Sequence, residues 1–206
     1  AMVHSFLIHT LCPVGALSCT ESRVLYSRVF GADLTQTGPA GDREQESEAR
    51  RLLQKEQLAV VARRQVRSVC ALQREAAGRP GLHETGAVLG EEEAALQEAD
   101  SGVLRLAEGD PFPREHTVVW LGVQALGFVL VCEAHENLLL AEGTLRSLAR
   151  HCLEHLRLLG TGSEVLLKAD RIEVLLHRLL PHGQLLFLNH RFKHSLDKEL
   201  GACLAR

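Results

Sequence analysis

The sequence predicts an α+β domain, a five-stranded antiparallel sheet packed between α-helices, in the order ββαβββαα plus a C-terminal tail. Two observations predict it. Strand-like and helix-like runs come in blocks, which favours an antiparallel sheet with helices laid on it over single alternation and a parallel sheet. The longest apolar run, Val118–Cys132, is interrupted by Gln124 and holds Gly122 and Gly127, so it reads as two buried strands around a tight turn. It is also shorter than the roughly 18–20 residues of a membrane-spanning helix.

Val3–Thr10 is rich in β-compatible apolar residues and forms the first strand. Leu11–Ser22, with Pro13 and Gly15, is a loop, and Arg23–Phe30 is the second strand. Gly31–Glu46 is turn-rich and then charged, with little to bury, and reads as a mobile linker. A long helix follows over roughly Glu48–Ala77. Leu58, Val61, Val66, Val69 and Leu72 recur at three- to five-residue steps and make one stripe. Gly78 and Pro80 terminate it. Arg79–Gly102 is acidic, with Glu91, Glu92, Glu93, Glu98 and Asp100, and reads as a solvated loop with a transient helix over Glu91–Ala99. Val103–Ala107, Thr117–Val123 and Phe128–Cys132 complete the sheet. Asn137–Leu159 and Val165–Leu180 are helices, the second stopped by Pro181 and Gly183. Leu185–Leu188 is a short strand or an extended plug, and Arg191–Leu204 a final helix. The expectation is one domain over residues 2–206 with flexible inserts at 31–46 and 79–102.

Bulk properties narrow the function. In 206 residues, 23 basic against 26 acidic side chains leave a net charge of −3, so there is no basic field for nucleic acid or an anionic membrane. The six cysteines, at 12, 19, 70, 132, 152 and 203, include no C-x-x-C pair, and several sit in apolar runs. That suits reduced, buried thiols of a cytoplasmic protein better than a disulfide framework. The N-terminal residues lack a basic region and a small-residue cleavage site, so no signal peptide is expected.

One string looks catalytic. His151–Cys152–Leu153–Glu154–His155 matches H-x-x-E-H, the inverted zinc-protease signature. Two histidines at i and i+4 share a helix face and could grip zinc, with the glutamate as base. The string fixes only three positions in a chain with 11 histidines, and its helix already has a core stripe in Leu145, Leu148, Cys152, Leu156 and Leu159. A third protein ligand, such as Glu173 or His177, would have to come from elsewhere. The expectation is therefore flanking histidines on a packed helix, no metal, no cofactor and no enzyme activity. Gly160–Thr161–Gly162–Ser163 lies between helices and is no phosphate loop, and no G-x-S-x-G elbow occurs. Arg63, Arg64, Arg67 and Arg74 read as a solvated helix face, and Trp120 and Phe128 as core.

The strings VHSFLIHT at Val3–Thr10 and RVLYSRVF at Arg23–Phe30, and the polar corner Glu133–Asn137 leading into a long helix, resemble the sigma-type small subunits of adaptor-protein vesicle-coat complexes. AHENLLLAEGTLR at Ala134–Arg146 and LPHGQLLFLN at Leu180–Asn189 resemble the branch belonging to the fifth such complex. The resemblance implies a longin-like fold and a non-catalytic subunit of a heterotetramer with two large subunits and a medium one. It implies cargo sorting in vesicle-mediated protein transport, on the cytoplasmic face of late endosomes and lysosomes, with membrane contact made through the complex. In clathrin-using relatives, the small subunit helps to bind acidic-dileucine cargo tails. By that resemblance Arg23 would face the acidic end, and Leu126, Phe128, Val165 and Leu167 would line the apolar slot. This chain departs from those relatives in the bulk of Phe128 and in longer loops. A longin-type tether or SNARE-like regulator is the alternative, and it would need a heptad-patterned helix and an anchor, of which the sequence shows neither. The zinc metallohydrolase built on His151, Glu154 and His155 is the third reading.

Overall fold

A computed structural model describes residues 2–11, 22–31, 40–79, 92–157, 163–187 and 189–204. Five strands, β1 (Val3–Thr10), β2 (Val24–Val29), β3 (Asp100–Leu106), β4 (His116–Val123) and β5 (Leu126–Glu133), form one sheet in the order β2-β1-β5-β4-β3. Every neighbouring pair is antiparallel. The expected α+β architecture is the one observed.

Alternation along the central strands explains why they looked apolar throughout. Val119, Leu121 and Val123 of β4 and Leu126, Phe128 and Leu130 of β5 enter one core. Val118, Trp120, Val129 and Val131 enter the other, on the opposite face. Helices cover both faces, so neither parity of the strand needs to be polar. In β1 the parity shifts. Val3 shares a face with Phe6 and Ile8 because the pairing with β5 slips between Val3 and Ser5. An extra residue at such a bulge moves the side chains that follow to the other face.

The smaller core is roofed by one long helical run, α1 (Ala40–Val60), a π-helical turn at Val61–Val66, and α2 (Arg67–Ala76). It starts well before the expected Glu48, so Ala40–Glu46 belong to the helix and not to the linker. The π turn also corrects the stripe. A regular α-helix would place Leu58, Ala62, Val69 and Leu72 on one face. The wider turn adds a residue, and the buried set becomes Leu58, Val61, Ala62, Val66 and Cys70, with Val69 partly buried. Leu72 is turned outward and is 64% exposed. The run ends as Gly78 predicted. Gly78 N–H donates to the Glu75 carbonyl and Arg79 N–H to the Arg74 carbonyl, with Gly78 at φ 64°. Those two bonds satisfy carbonyls that the helix end leaves open.

The second insert is likewise smaller than expected. Glu92–Gln97 form a short helix, α3, and Ala95 is buried against the larger core. Asp100–Gly102 already pair with β4. Residues 32–39 and 80–91 lie outside the described residues.

The larger core is covered by α4 (Leu138–Leu156), α5 (Ser163–Leu167), α6 (Ala169–Leu179) and α7 (His190–Leu204). Asn137 Oδ1 accepts from Leu140 N–H at 3.1 Å and caps α4. The single helix expected over Val165–Leu180 is broken at Lys168, whose ammonium donates to the Leu156 carbonyl at the end of α4. A cation there meets both an unpaired carbonyl and the negative end of the helix dipole. Leu185–Phe187 do not join the sheet; Leu185 packs against the larger core, so the plug reading holds for it, but not for Phe187, which is 89% exposed.

Candidate functional site

The predicted peptide slot is distributed between core and surface. Arg23 is exposed immediately before β2, and its backbone N–H donates to Thr10 Oγ1 at 2.9 Å. Leu126, Phe128 and Val165 are buried together in the larger core, whereas Leu167 is 84% exposed. On the neighbouring edge, the Tyr26 hydroxyl donates to the Glu173 carboxylate, and Arg28 Nη1 lies 3.4 Å from the same side chain. Burial and that carboxylate push the Tyr26 hydroxyl far above its usual range. Glu173 thus ties α6 to strand β2 and is not a partner of the α4 histidines.

The H-x-x-E-H string does converge. Ligand atoms of His151, Glu154 and His155 lie within 4.8 Å of one another, and the two imidazoles stack with centroids 5.4 Å apart. The expectation that both histidines flank the helix fails for His151, which is 1% exposed. Its Nε2–H donates to Asp197 Oδ1 at 3.0 Å, across the α4–α7 contact, and its Nδ1 has no partner. Arg150 lies 3.3 Å from Asp197 and 3.9 Å from Glu154. That guanidinium supplies the positive charge these carboxylates need. Burial and Arg150 lower the His151 pKa to about 4, so the ring is neutral at pH 7. The arrangement is that of a helix-to-helix polar clamp, with a cation already in place.

Chemistry elsewhere among the described residues is also quiet. Cys70, Cys132 and Cys152 are buried thiols, raised by desolvation to about 11, 12 and 12. Such groups stay protonated and unreactive at neutral pH. Cys203 is exposed, and Cys12 and Cys19 lie outside the described residues. No described helix is long and apolar enough to cross a membrane.

The features that stand out are surfaces. Several large apolar side chains are held in the open, among them Leu139 (83%) and Phe187 (89%) on the α4–α7 side. Leu52 and Leu53 are more than half exposed on α1. Sequence reasoning missed both sets. Leu139 sits in a helix that also supplies core, and Phe187 sits in an apolar string that reads as a plug.

The family profile described as "AP-5 complex subunit sigma-1" matches residues 2–201. A human protein described as AP-5 complex subunit sigma-1 is 53% identical over 205 residues, covering 100% of both chains. A mouse protein of the same description is 50% identical over 158 residues, covering 77% of this chain and 90% of its own.

Proposed function

The chain belongs to the family of AP-5 complex sigma-1 subunits, and from that premise we propose that it works as the non-catalytic small subunit of a heterotetrameric adaptor coat in endosomal vesicle-mediated protein transport. Its partners in this reading are two large subunits and a medium one, and its place is the cytoplasmic face of late endosomes and lysosomes. The observation that carries the reading is the family match over nearly the whole sheet-and-helix domain. The structure supports it in two ways. The candidate catalytic string forms a clamp between helices, and the prominent surface features are exposed apolar side chains of the kind that a partner covers.

Within the complex, the work we assign to the chain is primarily to hold a large subunit in shape. Leu126, Phe128 and Val165 are already packed into the core, so a dileucine slot built from them and Leu167 would need α5 to move. Arg23 is exposed and remains the candidate for an acidic cargo tail.

The test is co-expression with the other three subunits, wild type against Arg23→Glu, followed by the mass of the purified complex and titration with an acidic-dileucine peptide. A four-subunit complex with either form, and no peptide binding by either, supports the scaffold reading. Peptide binding by wild type that Arg23→Glu abolishes would make the chain a cargo reader. Failure of wild type to join the complex would remove the proposal altogether.

A further inference from the structure

An apolar groove opens between α4, the extended segment before α7, and the first turn of α7. Leu139, Leu140, Leu179, Leu186 and Phe187 line it, and the charged residue in its lining is Lys193. Gly143 and Ser147, one helical turn apart on α4, add no bulk to that wall. A Cβ built on Gly143 would meet nothing within 4 Å. The cavity is about 150 Å³, close to the volume that holds one benzene-sized group in an engineered protein cavity. It therefore takes a single Leu- or Phe-sized anchor.

The α7 side of the groove mouth is basic. The first turn of α7 carries no acidic residue, whereas at α4 Glu136 already accepts from the N–H of the capping Asn137 at 3.1 Å. Asn189 Oδ1 accepts from Phe192 N–H at 2.8 Å at the start of α7, and Arg191 and Lys193 are exposed there. The N-terminus of α7 and these side chains favour an acidic neighbour on that side of the groove. Two of the most exposed large apolar side chains among the described residues, Leu139 and Phe187, belong to this groove. Apolar groups held open in this way mark a surface that is covered in the working state, and permanent interfaces are the more hydrophobic kind.

We infer that this groove docks another subunit of the same complex, through a segment carrying one bulky apolar anchor flanked by acidic residues. This rests on the subunit reading above, and names the surface and the chemistry of its partner. Cargo peptides and a second copy of this chain are outcomes of the test.

The experiment uses the assembled complex and the free chain. Hydroxyl-radical footprinting should show Phe187 and Leu139 strongly oxidised in the free chain and protected on assembly. Gly143→Leu, whose Cβ has open space and whose side chain would occupy the groove, should leave the free chain folded with a thermal midpoint no lower than wild type, since leucine is the better helix former. It should weaken assembly by roughly thirtyfold, the loss expected at an interface hot spot. Lys193→Glu should weaken it further at low salt than at high salt. If wild type assembles but Phe187 stays equally oxidised and Gly143→Leu assembles normally, the inference is wrong while the subunit reading stands. Protection that appears only on adding an acidic-dileucine peptide to the complex would overturn it in favour of cargo. Protection in the free chain that rises with concentration would overturn it in favour of a dimer.

Discussion

His9 shows how much a single strand position can be constrained by its neighbour. The ring is fully buried, with Nδ1 2.8 Å from Ser22 Oγ and 3.0 Å from the Thr10 carbonyl, and Nε2 without a partner. Desolvation, with Arg67 contributing, lowers its pKa from 6.5 to about 4. The unfolded chain therefore takes up a proton between pH 6.5 and 4 that the folded chain refuses. Stability from this group is complete above pH 6.5 and falls as pH drops through that window, by an amount on the order of 3 kcal/mol. His9 ring resonances should keep their neutral shifts at pH 5.5 in NMR spectra; a midpoint near 6.5 would contradict the burial. Its cross-strand partner is Gly127, where a Cβ would lie 2.5 Å from His9 Nε2. Gly127→Ala should lower the unfolding free energy by about 1–3 kcal/mol, as overpacking of a closed core does. His151 gives a third prediction. His151→Ala empties a buried site and strips Asp197 of a donor, so about 2 kcal/mol should be lost in denaturant titration. His155→Ala, at a partly buried position on the rim of the clamp, should change stability by less than about 0.5 kcal/mol.

At the scale of elements, the π turn in the first long helix decides which side chains are core. Its extra residue rotates α2, so that Val66 and Cys70 face the sheet and Leu72 faces away. Val66→Ala should cost about 2 kcal/mol by cavity formation, whereas Leu72→Gln should stay within about 0.5 kcal/mol. Equal losses at both positions, measured by chemical denaturation, would mean a regular α-helix instead. The acidic insert divides in the same way. Asp100, 12% exposed at its side chain, binds Arg74 at 2.7 Å and Arg79 at 2.8 Å, and joins the end of α2 to the edge strand β3. Ala95 lies in the core. A deletion from Glu84 to Ala99, harmless if the whole insert were a solvated loop, should therefore destabilise by clearly more than 1 kcal/mol. A deletion kept to residues 82–89 is the version that the loop reading still proposes as tolerated, because loop closure depends only weakly on length.

For the whole molecule, the two cores share one sheet and bury nearly all of β1, β4 and β5, so cooperative unfolding is expected. Exposed apolar side chains remain on both helix layers, Leu52, Leu53 and Leu72 on one and Leu139, Phe187 and Phe192 on the other. A partner that binds only the folded chain raises its apparent stability by mass action. The chain should therefore melt several degrees higher in the assembled complex than alone, and differential scanning fluorimetry of both would show it. Identical melting in the two states would argue that the partner contact is small.

Much of this was legible in the sequence, because strands and helices announce themselves through local chemistry. The central hairpin, the start of a helix at Asn137 and the end of an earlier one at Gly78 each depend on residues within one or two turns of themselves. So does the resemblance carried by Val3–Thr10 and Ala134–Arg146, which led to the right family. The tertiary structure alone decided the fate of side chains whose environment comes from distant parts of the chain. Leu126, Phe128 and Val165 could line a slot or fill a core, and packing from α4, α5 and α6 put them in the core. His151 could flank a helix or bind a metal, and Asp197 of α7 together with Arg150 made it one end of a clamp. Periodicity locates a buried face, but which neighbour covers it is a long-range property. A one-residue slip, at the bulge in β1 or at the π turn before α2, is enough to change the answer.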